Sequence, residues 1–304
     1  MALPASIAQS LRLPLIAAPM LLVSGPDLVI EACRAGVIGS FPTNNCRTAD
    51  ELERWLARMQ EETAGKAPYA PNLIVHRSNT RLADDVKLVE KFAPALVITS
   101  VGSPAPVMDA IHASGALVFA DVASMRHVER ALEVGVDGLI LLTAGAGGQT
   151  GWVNPFAFVR AVRAVFDGPV VLAGGVADGV ALRAALALGC DLAYMGTRFI
   201  ATRQSMAAQA YKDMLVASTL DDIVLSRALT GLETNLLRPS VEQAGLDTSA
   251  VGSLETRSAT AGEPRRWKDV WSAGHTVSQV KDIPDVADLV DRVAAEFTRE
   301  SRLV

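Results

Sequence analysis

The sequence predicts an α/β fold, a closed (β/α)8 TIM barrel with a smaller inserted segment after strand eight. Short apolar strands alternate with helical segments along most of the chain, as a parallel α/β fold requires. The last two predicted strands, which begin at Val170 and Leu192, each break into a turn of small residues. An open doubly wound sheet is the alternative, but the chain lacks the G-x-G-x-x-G turn that such a dinucleotide-binding fold carries after its first strand.

Short apolar runs bounded by turn residues predict the strands. The first six are Leu15–Ala18, Val37–Ser40, Tyr69–Val75, Ala95–Thr99, Ala116–Asp121 and Gly138–Leu142. Apolar residues at helical spacing predict the helices between and after them. These helices are Pro26–Ala35, Thr48–Thr63, Leu82–Phe92, Pro104–Ser114, Ser124–Val134, Pro155–Phe166, Gln204–Ser218 and Asp285–Arg302. Thr48 is a predicted N-cap, and Glu51 three residues later completes a capping box.

The regular alternation ends after Phe199, which sets the predicted domain boundaries. Residues 1–203 and 280–304 are assigned to the barrel, and residues 204–279 to an inserted helical and irregular segment at the barrel mouth. Residues 220–271 are turn-rich and poor in periodic apolar positions, so they are predicted to be irregular.

Net charge, apolar stretches and cysteine spacing bear on three classes of binding: to nucleic acid, to membranes and to metal ions. The chain has 304 residues and a net charge of −5, which gives no electrostatic support for binding nucleic acid. We see no signal peptide and no apolar stretch long enough to cross a bilayer, so no membrane partner is expected. The three scattered cysteines form no CxxC or other metal-ligand spacing. They suit a reducing cytoplasm and predict no metal site.

Glycines at the ends of the last two predicted strands indicate a phosphate site. Gly174, Gly175 and Gly196 let backbone N–H groups approach an anion. In a (β/α)8 barrel, the loops after strands seven and eight form the usual phosphate site. The alternative is a pair of ordinary strand-to-helix turns that need glycine for their geometry.

Several motifs together resemble the FMN-dependent nitronate monooxygenase family, formerly 2-nitropropane dioxygenase, to which FMN-type enoyl-acyl-carrier-protein reductases are structurally related. The resembling segments are Ala17–Met20, Asn72, Ala146–Gly151, Ala173–Gly179, Met195–Phe199 and Trp271–His275. The resemblance implies FMN at the carboxyl ends of the strands. It implies flavin contacts from the backbone of Ala18, Pro19 and Met20, from Asn72, Asp121, Gly147 and Gly148, and phosphate contacts from Gly174, Gly175, Gly196 and Thr197.

Two positions depart from the family pattern. Gln149 stands where the nitronate oxidisers have the histidine that removes a proton from a nitroalkane, and an amide is no general base near neutral pH. Asp121 stands where a lysine is expected, which reverses the local charge and would not favour an anionic reduced flavin. A nitronate that is already deprotonated needs no such base.

Two histidines are candidates for the missing catalytic role beside Gln149. His275 lies in the late loop, and His76 follows strand three at the functional end of the barrel. For each, a loop histidine without a role in proton transfer is an equal alternative.

The sequence therefore predicts an FMN-dependent oxidoreductase that oxidises a nitronate or related small organic substrate with oxygen. An NAD(P)H-dependent flavin reductase of the quinone or enoyl type is the second hypothesis. A non-flavin barrel lyase or isomerase acting on a phosphorylated metabolite is the third, and a non-catalytic flavin-binding protein the fourth. The sparse cysteines predict a cytoplasmic protein, and a homodimer is expected from general frequencies alone.

Overall fold

The computed structural model describes residues 3–227, 231–246 and 269–299. Its strands are β1 (Leu15–Ala17), β2 (Ile38–Pro42), β3 (Tyr69–Ile74), β4 (Leu96–Ser100), β5 (Leu117–Val122), β6 (Gly138–Leu142), β7 (Gly148–Gln149), β8 (Val170–Ala173), β9 (Leu192–Met195), β10 (Ile223–Ser226) and β11 (Thr234–Leu237). Its α-helices are α1 (Ala5–Ala8), α2 (Pro26–Arg34), α3 (Ala49–Glu62), α4 (Leu82–Phe92), α5 (Met108–Ala113), α6 (Met125–Val134), α7 (Pro155–Arg163), α8 (Gly179–Leu188), α9 (Thr197–Ile200), α10 (Gln209–Ala217), α11 (Arg238–Gln243) and α12 (Val286–Thr298).

Eight parallel strands close into a barrel in the order β1-β2-β3-β4-β5-β6-β8-β9. The closure is made by β1 and β9, which pair with Leu15 opposite Ala193 and Ala17 opposite Met195. The predicted TIM barrel is confirmed, and each predicted strand agrees with the observed one to within two residues.

The barrel interior is filled by side chains that point inward at every second strand position. They form one apolar cluster that includes Ile16, Ile38, Ile98, Phe119, Ile140, Val171 and Tyr194. A larger cluster packs between the outer strand faces and the surrounding helices. Burying each large aliphatic side chain stabilises the fold by about 1.5–3 kcal/mol. The strands therefore read as continuous apolar runs, because both of their faces are covered.

Polar residues replace apolar ones at the carboxyl ends of three neighbouring strands. Asn72 lies two positions after Ala70, Ser100 two after Ile98 and Asp121 two after Phe119. Each continues the inward-facing series of its strand, because strand side chains alternate between the two faces. The core thus ends in a polar floor at the barrel mouth.

Helix boundaries follow their capping residues. Thr48 Oγ1 accepts the Glu51 N–H at 3.1 Å, and Ser124 and Asn154 cap α6 and α7 in the same way. The predicted capping box at α3 is only half right. Glu51 Oε2 accepts the N–H of Arg47 at 2.7 Å, one residue before the N-cap. The N-cap of α3 is therefore confirmed, while the return contact of the box is displaced by one residue.

The inserted segment is more regular than predicted. Part of the span expected to be irregular folds into β10, β11 and α11, and β11 pairs on its other edge with β7, which gives a three-stranded antiparallel sheet. The strands were missed because each has at most four residues and β7 comes from a loop more than eighty residues earlier. Helix α10 begins at Gln209, five residues after its predicted start. The predicted inserted segment also includes residues 228–230 and 247–268, which lie outside the described residues.

Within residues 3–227, 231–246 and 269–299, none of the helices has both the length and the apolar character needed to span a membrane.

Candidate active site

The turn after β8 has a backbone that favours glycine. Gly174 has φ +121° and Gly175 has φ +82°, both in the region that residues with side chains rarely adopt. A Cβ on Gly174 would lie 2.6 Å from Thr143 Oγ1, so this glycine is packed against the end of β6. A Cβ on Gly175 would meet no atom within 4 Å. Gly175 is exposed and faces open space, so it is the part of this turn that a ligand can approach.

The turn after β9 supplies the second half of the predicted phosphate site. Gly196 faces Met20 and Ala18, whose nearest atoms would be 3.6 and 3.7 Å from an added Cβ. Thr197 is buried, and its Oγ1 accepts the N–H of Gly274 at 2.9 Å. A hydroxyl that accepts one bond still has its own hydrogen to donate.

The loop after β6 is packed against the late loop that contains His275. A Cβ on Gly147 would lie 2.6 Å from Gly274 N, and one on Gly274 would lie 2.6 Å from Gly145 O. His275 N donates to Gly145 O at 2.9 Å. The close approach of the two backbones therefore explains why position 147 is a glycine. Ligand binding would explain it equally. Gly148 has φ +69° and begins β7, so its backbone also favours glycine.

The loop after β1 is held by its own hydrogen bonds. Ala18 N donates to Met195 O at 3.0 Å, and Met20 N donates to Ser24 Oγ at 3.0 Å. Asn45 Nδ2 donates to Met20 O at 3.0 Å. Pro19 has no N–H to offer. The backbone donors expected to contact a flavin here are thus already engaged, which leaves carbonyl lone pairs and side-chain surface for a ligand.

Asn72 is buried and satisfied within the protein. Its Nδ2 donates to Ser100 Oγ at 3.0 Å, which joins the ends of β3 and β4. The Asn72 amide therefore sets the shape of the floor, and Ser100, which the sequence analysis did not select, is its partner.

Asp121 and Tyr194 carry buried polar atoms of a different kind. Asp121 Oδ1 and the Tyr194 hydroxyl have no hydrogen-bond partner among the described residues. Burial raises the pKa of Asp121 to about 7. Burial also raises the pKa of Tyr194 well above its usual value, and the nearby Asp121 charge adds to that shift. Tyr194 was missed because tyrosine in an apolar strand is indistinguishable from a core residue.

One of the two candidate histidines, His275, lies in the loop that Thr197 of the turn after β9 holds through the Gly274 N–H. The ring of His275 lies beside Gly145, with Nδ1 3.0 Å from the position of an added Cβ, and the side chain is exposed. His76 is also exposed, and its Nδ1 lies 2.7 Å from Ser78 Oγ in its own loop. Gln149 is half-buried on β7 and pairs in register with Thr234.

Residues of the inserted segment position these loops, and two of them, Asn235 and Tyr211, were not predicted from the sequence. Asn235, on β11, is buried and donates from Nδ2 to Ala146 O at 2.7 Å. Tyr211 stacks on Trp271 with ring centroids 5.0 Å apart, and its hydroxyl donates to Ser272 O. The insertion thus fixes both loops that meet at Gly147 and Gly274. Within the described residues, we find no group of acidic, histidine or cysteine side chains arranged to hold a metal ion.

Comparison with known proteins gives the family. The nitronate monooxygenase family matches residues 5–296 of this chain. A nitronate monooxygenase of Pseudomonas aeruginosa is 28% identical over 72% of this chain and 74% of that protein. The fold is similar to that of FabK from Thermotoga maritima, with a TM-score of 0.81, 24% identity and coverage of 97% of this chain and 96% of that one.

A second relative extends well beyond the region that matches this chain, and its name gives a different activity. A hydroxy-methyl-oxo-octahydroindene-carboxyl-CoA dehydrogenase of Rhodococcus jostii is 28% identical over 80% of this chain, and the match spans only 65% of that protein's length. With the family match covering nearly all of its residues and the closed barrel in place, this chain belongs to the nitronate monooxygenase family, a family of FMN-dependent oxidoreductases.

Proposed function

We propose that this protein binds FMN at the barrel mouth and oxidises a nitronate or a related small organic anion with oxygen. The observation that carries the proposal is the pair of turns after β8 and β9, in which Gly175 faces open space and Thr197 keeps a hydroxyl hydrogen to donate. Membership of the nitronate monooxygenase family supports the same conclusion. It also favours an oxidoreductase over the barrel lyase or isomerase.

The residues present fit FMN. Gly174, Gly175, Gly196 and Thr197 would hold the phosphate, because small residues leave the backbone N–H groups open to an anion. The floor is polar at Asn72, Ser100 and Asp121, which suits a heterocycle that has hydrogen-bonding groups on its edge. Ala18, Pro19 and Met20 would line one side of that ring. When bound, FMN supplies the acceptance and release of electrons.

The chain itself contributes binding, orientation and proton control. Loops fixed by Asn235 and Tyr211 hold Gly147, Gly148 and His275 at one side of the mouth. His275 is exposed there and can donate a hydrogen bond to an anionic substrate oxygen. Gln149 can orient a substrate but cannot remove its proton. We therefore expect a nitronate, already deprotonated in solution, to be oxidised well and the neutral nitroalkane poorly.

Gln149 also supports a second candidate, an NAD(P)H-dependent flavin reductase. Replacement of the family histidine by an amide removes the base needed for nitroalkane oxidation, while hydride transfer from a nicotinamide needs no such base. The relative of Rhodococcus jostii is by name a dehydrogenase of a carboxyl-CoA compound, which adds a CoA thioester as a candidate electron donor to the flavin. His76 remains a further candidate for substrate contact under either function.

One experiment separates these functions. The purified, FMN-loaded protein is mixed under anaerobic conditions with NADH, NADPH, an alkyl nitronate or the parent nitroalkane, and the visible flavin absorbance is followed by stopped flow. The proposal expects rapid bleaching by the nitronate and little by the nitroalkane. Rapid bleaching by NADH or NADPH alone would establish the reductase instead, and no bleaching by any of the four would leave a flavin-binding protein without either activity.

A variant sharpens this test. Gln149→His restores an imidazole at the family position, and we expect it to raise the rate with the neutral nitroalkane relative to the nitronate. Gln149→Asn, which keeps an amide, serves as the matched control and should leave that ratio unchanged. If the ratio of the nitroalkane rate to the nitronate rate is equal in the wild type and both variants, Gln149 does not determine the choice of substrate.

A further inference from the structure

Leu22, in the loop after β1, combines a strained backbone with an exposed side chain. Its φ is +62°, a region that residues with a Cβ rarely adopt because the Cβ is crowded there. Its side chain is 44% exposed, so it contributes much less to the core than a buried leucine does. An exposed leucine alone is ordinary. An exposed leucine at a position that suits glycine better is not explained by folding, and backbone strain of this kind is concentrated at functional sites.

One asparagine fixes the strained loop. Asn45 Oδ1 accepts the N–H of Leu22 at 2.8 Å, and Asn45 Nδ2 donates to Met20 O at 3.0 Å and to Ser24 O at 2.8 Å. The amide thus binds the loop before, at and after Leu22. Asn45 itself follows β2, which is paired with β1. Leu22 is therefore held in one conformation near the carboxyl ends of two neighbouring strands.

The segment that contains Asn45 is anchored in turn by a largely buried ion pair. Arg81 donates to Thr43 O at 2.8 Å and to Cys46 O at 2.6 Å, one bond on each side of Asn45. Arg81 Nε also donates to Asp85 Oδ1 at 2.8 Å, and the Asp85 side chain is fully buried. The loop is thus fixed before any ligand arrives, which lowers the entropy that a contact with Leu22 would cost.

The neighbours of Leu22 connect it to the proposed flavin site and extend its apolar surface. Met20, two residues earlier, has its Sδ 3.6 Å from the position of an added Cβ on Gly196, in the proposed phosphate turn. On the other side, Met206 N donates to Val23 O at 2.9 Å, and the Met206 side chain is also 44% exposed. Two exposed apolar side chains therefore flank Val23, on a loop that begins at the flavin site.

Building on the proposed oxidation of an organic anion, we propose that Leu22 is a specificity-determining residue that contacts an alkyl chain on the substrate, with Asn45 as its positioning residue. The floor of the mouth is polar, and the phosphate turns present backbone N–H groups, so neither suits an alkyl chain. Leu22 and Met206 provide apolar surface beside them, and the flexible thioether of Met206 adapts to chains of different shape. The preferred substrate is thus a nitronate with a chain of several carbons.

The chain contains a matched control for the strain. Ala93 also has a left-handed backbone, with φ +43°, and it is exposed. It lies between α4 and β4, at the amino ends of the barrel strands and so opposite the mouth. Leu22→Gly and Ala93→Gly both release strain, so neither should lower the urea midpoint of the FMN-free protein. A lower midpoint in Leu22→Gly would show that the leucine serves packing within the protein, and it would overturn the inference.

The substrate contact is tested with the nitronates of nitroethane, nitrobutane and nitrohexane, by oxygen consumption of the FMN-loaded proteins. In the wild type, we expect kcat/KM to rise about threefold per added methylene, as burial of a CH₂ group predicts. In Leu22→Gly the rise should be less than about twofold, with the loss mainly in KM, because the contact is remote from the reacting atoms. Leu22→Met, which keeps an apolar side chain, should retain the wild-type rise, and Ala93→Gly should match the wild type.

Two results would overturn the assignment of Leu22 while leaving the proposed function intact. One is a wild-type kcat/KM that does not rise with chain length, and the other is the same rise in Leu22→Gly as in the wild type. A wild type that binds FMN but oxidises none of the three nitronates would instead overturn the proposed function, and the substrate assignment with it.

Discussion

Thr197 Oγ1 accepts the N–H of Gly274 at 2.9 Å, which ties the turn after the last barrel strand to a loop 77 residues later. The same loop presses Gly274 against Gly145 and Gly147 and presents His275 at the mouth. One threonine thus links the proposed phosphate turn with the proposed substrate side. Its role can be tested by changing only the hydroxyl.

Thr197→Val should destabilise the protein and weaken FMN binding together. Valine keeps the shape but leaves the Gly274 N–H buried without an acceptor, which costs about 1–3 kcal/mol. Thr197→Ser keeps the hydroxyl and is the control. Urea unfolding and FMN titration measure the two effects. A valine variant as stable as the serine variant would show that this bond contributes little to stability.

Gly175→Ala should weaken FMN binding more than it weakens the fold. Gly135 ends α6 with φ +85°, close to the +82° of Gly175, and neither has an atom within 4 Å of an added Cβ. Gly135→Ala therefore imposes the same backbone strain, about 1 kcal/mol, at a position outside the mouth. We expect similar unfolding midpoints for both variants and a loss of FMN affinity in Gly175→Ala alone. Equal FMN affinities would contradict the phosphate role of this turn.

His275→Ala should lower turnover while leaving bound flavin in place. The side chain is exposed, and it is the backbone N–H that holds the loop to Gly145, so the variant should keep its stability. Loss of a positioned donor is expected to cost about tenfold to a hundredfold in turnover. Steady-state rates with the substrate found by stopped flow test this, and visible absorbance confirms flavin content. Unchanged turnover would exclude His275 from substrate contact.

Val101→Asn should stabilise the protein. Val101 follows β4 with φ +58°, a strained conformation for a β-branched residue, beside the Ser100 that bonds Asn72. Asparagine adopts this region more readily, so a gain of about 1 kcal/mol is expected. Chemical denaturation measures it. A loss of stability would mean that the contacts of the valine side chain outweigh the strain.

The contribution of Asp121 to the stability of the FMN-free protein should fall as the pH rises from about 4 to about 7. Burial raises the pKa of Asp121 from 3.8 in the unfolded chain to about 7 in the fold. The native state therefore holds a proton that the unfolded state releases over that range, and its stabilisation is lost as the pH passes the native pKa. We expect Asp121→Asn to reduce the fall in the free energy of unfolding over this pH interval by roughly 1–3 kcal/mol. Identical slopes in the two proteins would contradict the shifted ionisation.

The barrel could be predicted because its strands are short apolar runs with glycine or capping residues between them. Thr48, Ser124 and the Gly174–Gly175 turn act locally, so their roles are visible in a few consecutive residues. Tyr194, Ser100 and Asn235 could not be selected in this way. Their significance depends on partners from other strands, or on the lack of one, and no local pattern records that.

Binding of FMN compared with riboflavin, measured in wild type and Gly175→Ala, tests the central claim most directly. The two ligands share the same ring and differ in the phosphate, so their affinity ratio reports the phosphate contact alone. We predict that the wild type strongly prefers FMN and that Gly175→Ala loses most of that preference while its riboflavin affinity is unchanged. Equal affinities for FMN and riboflavin in the wild type would contradict the account.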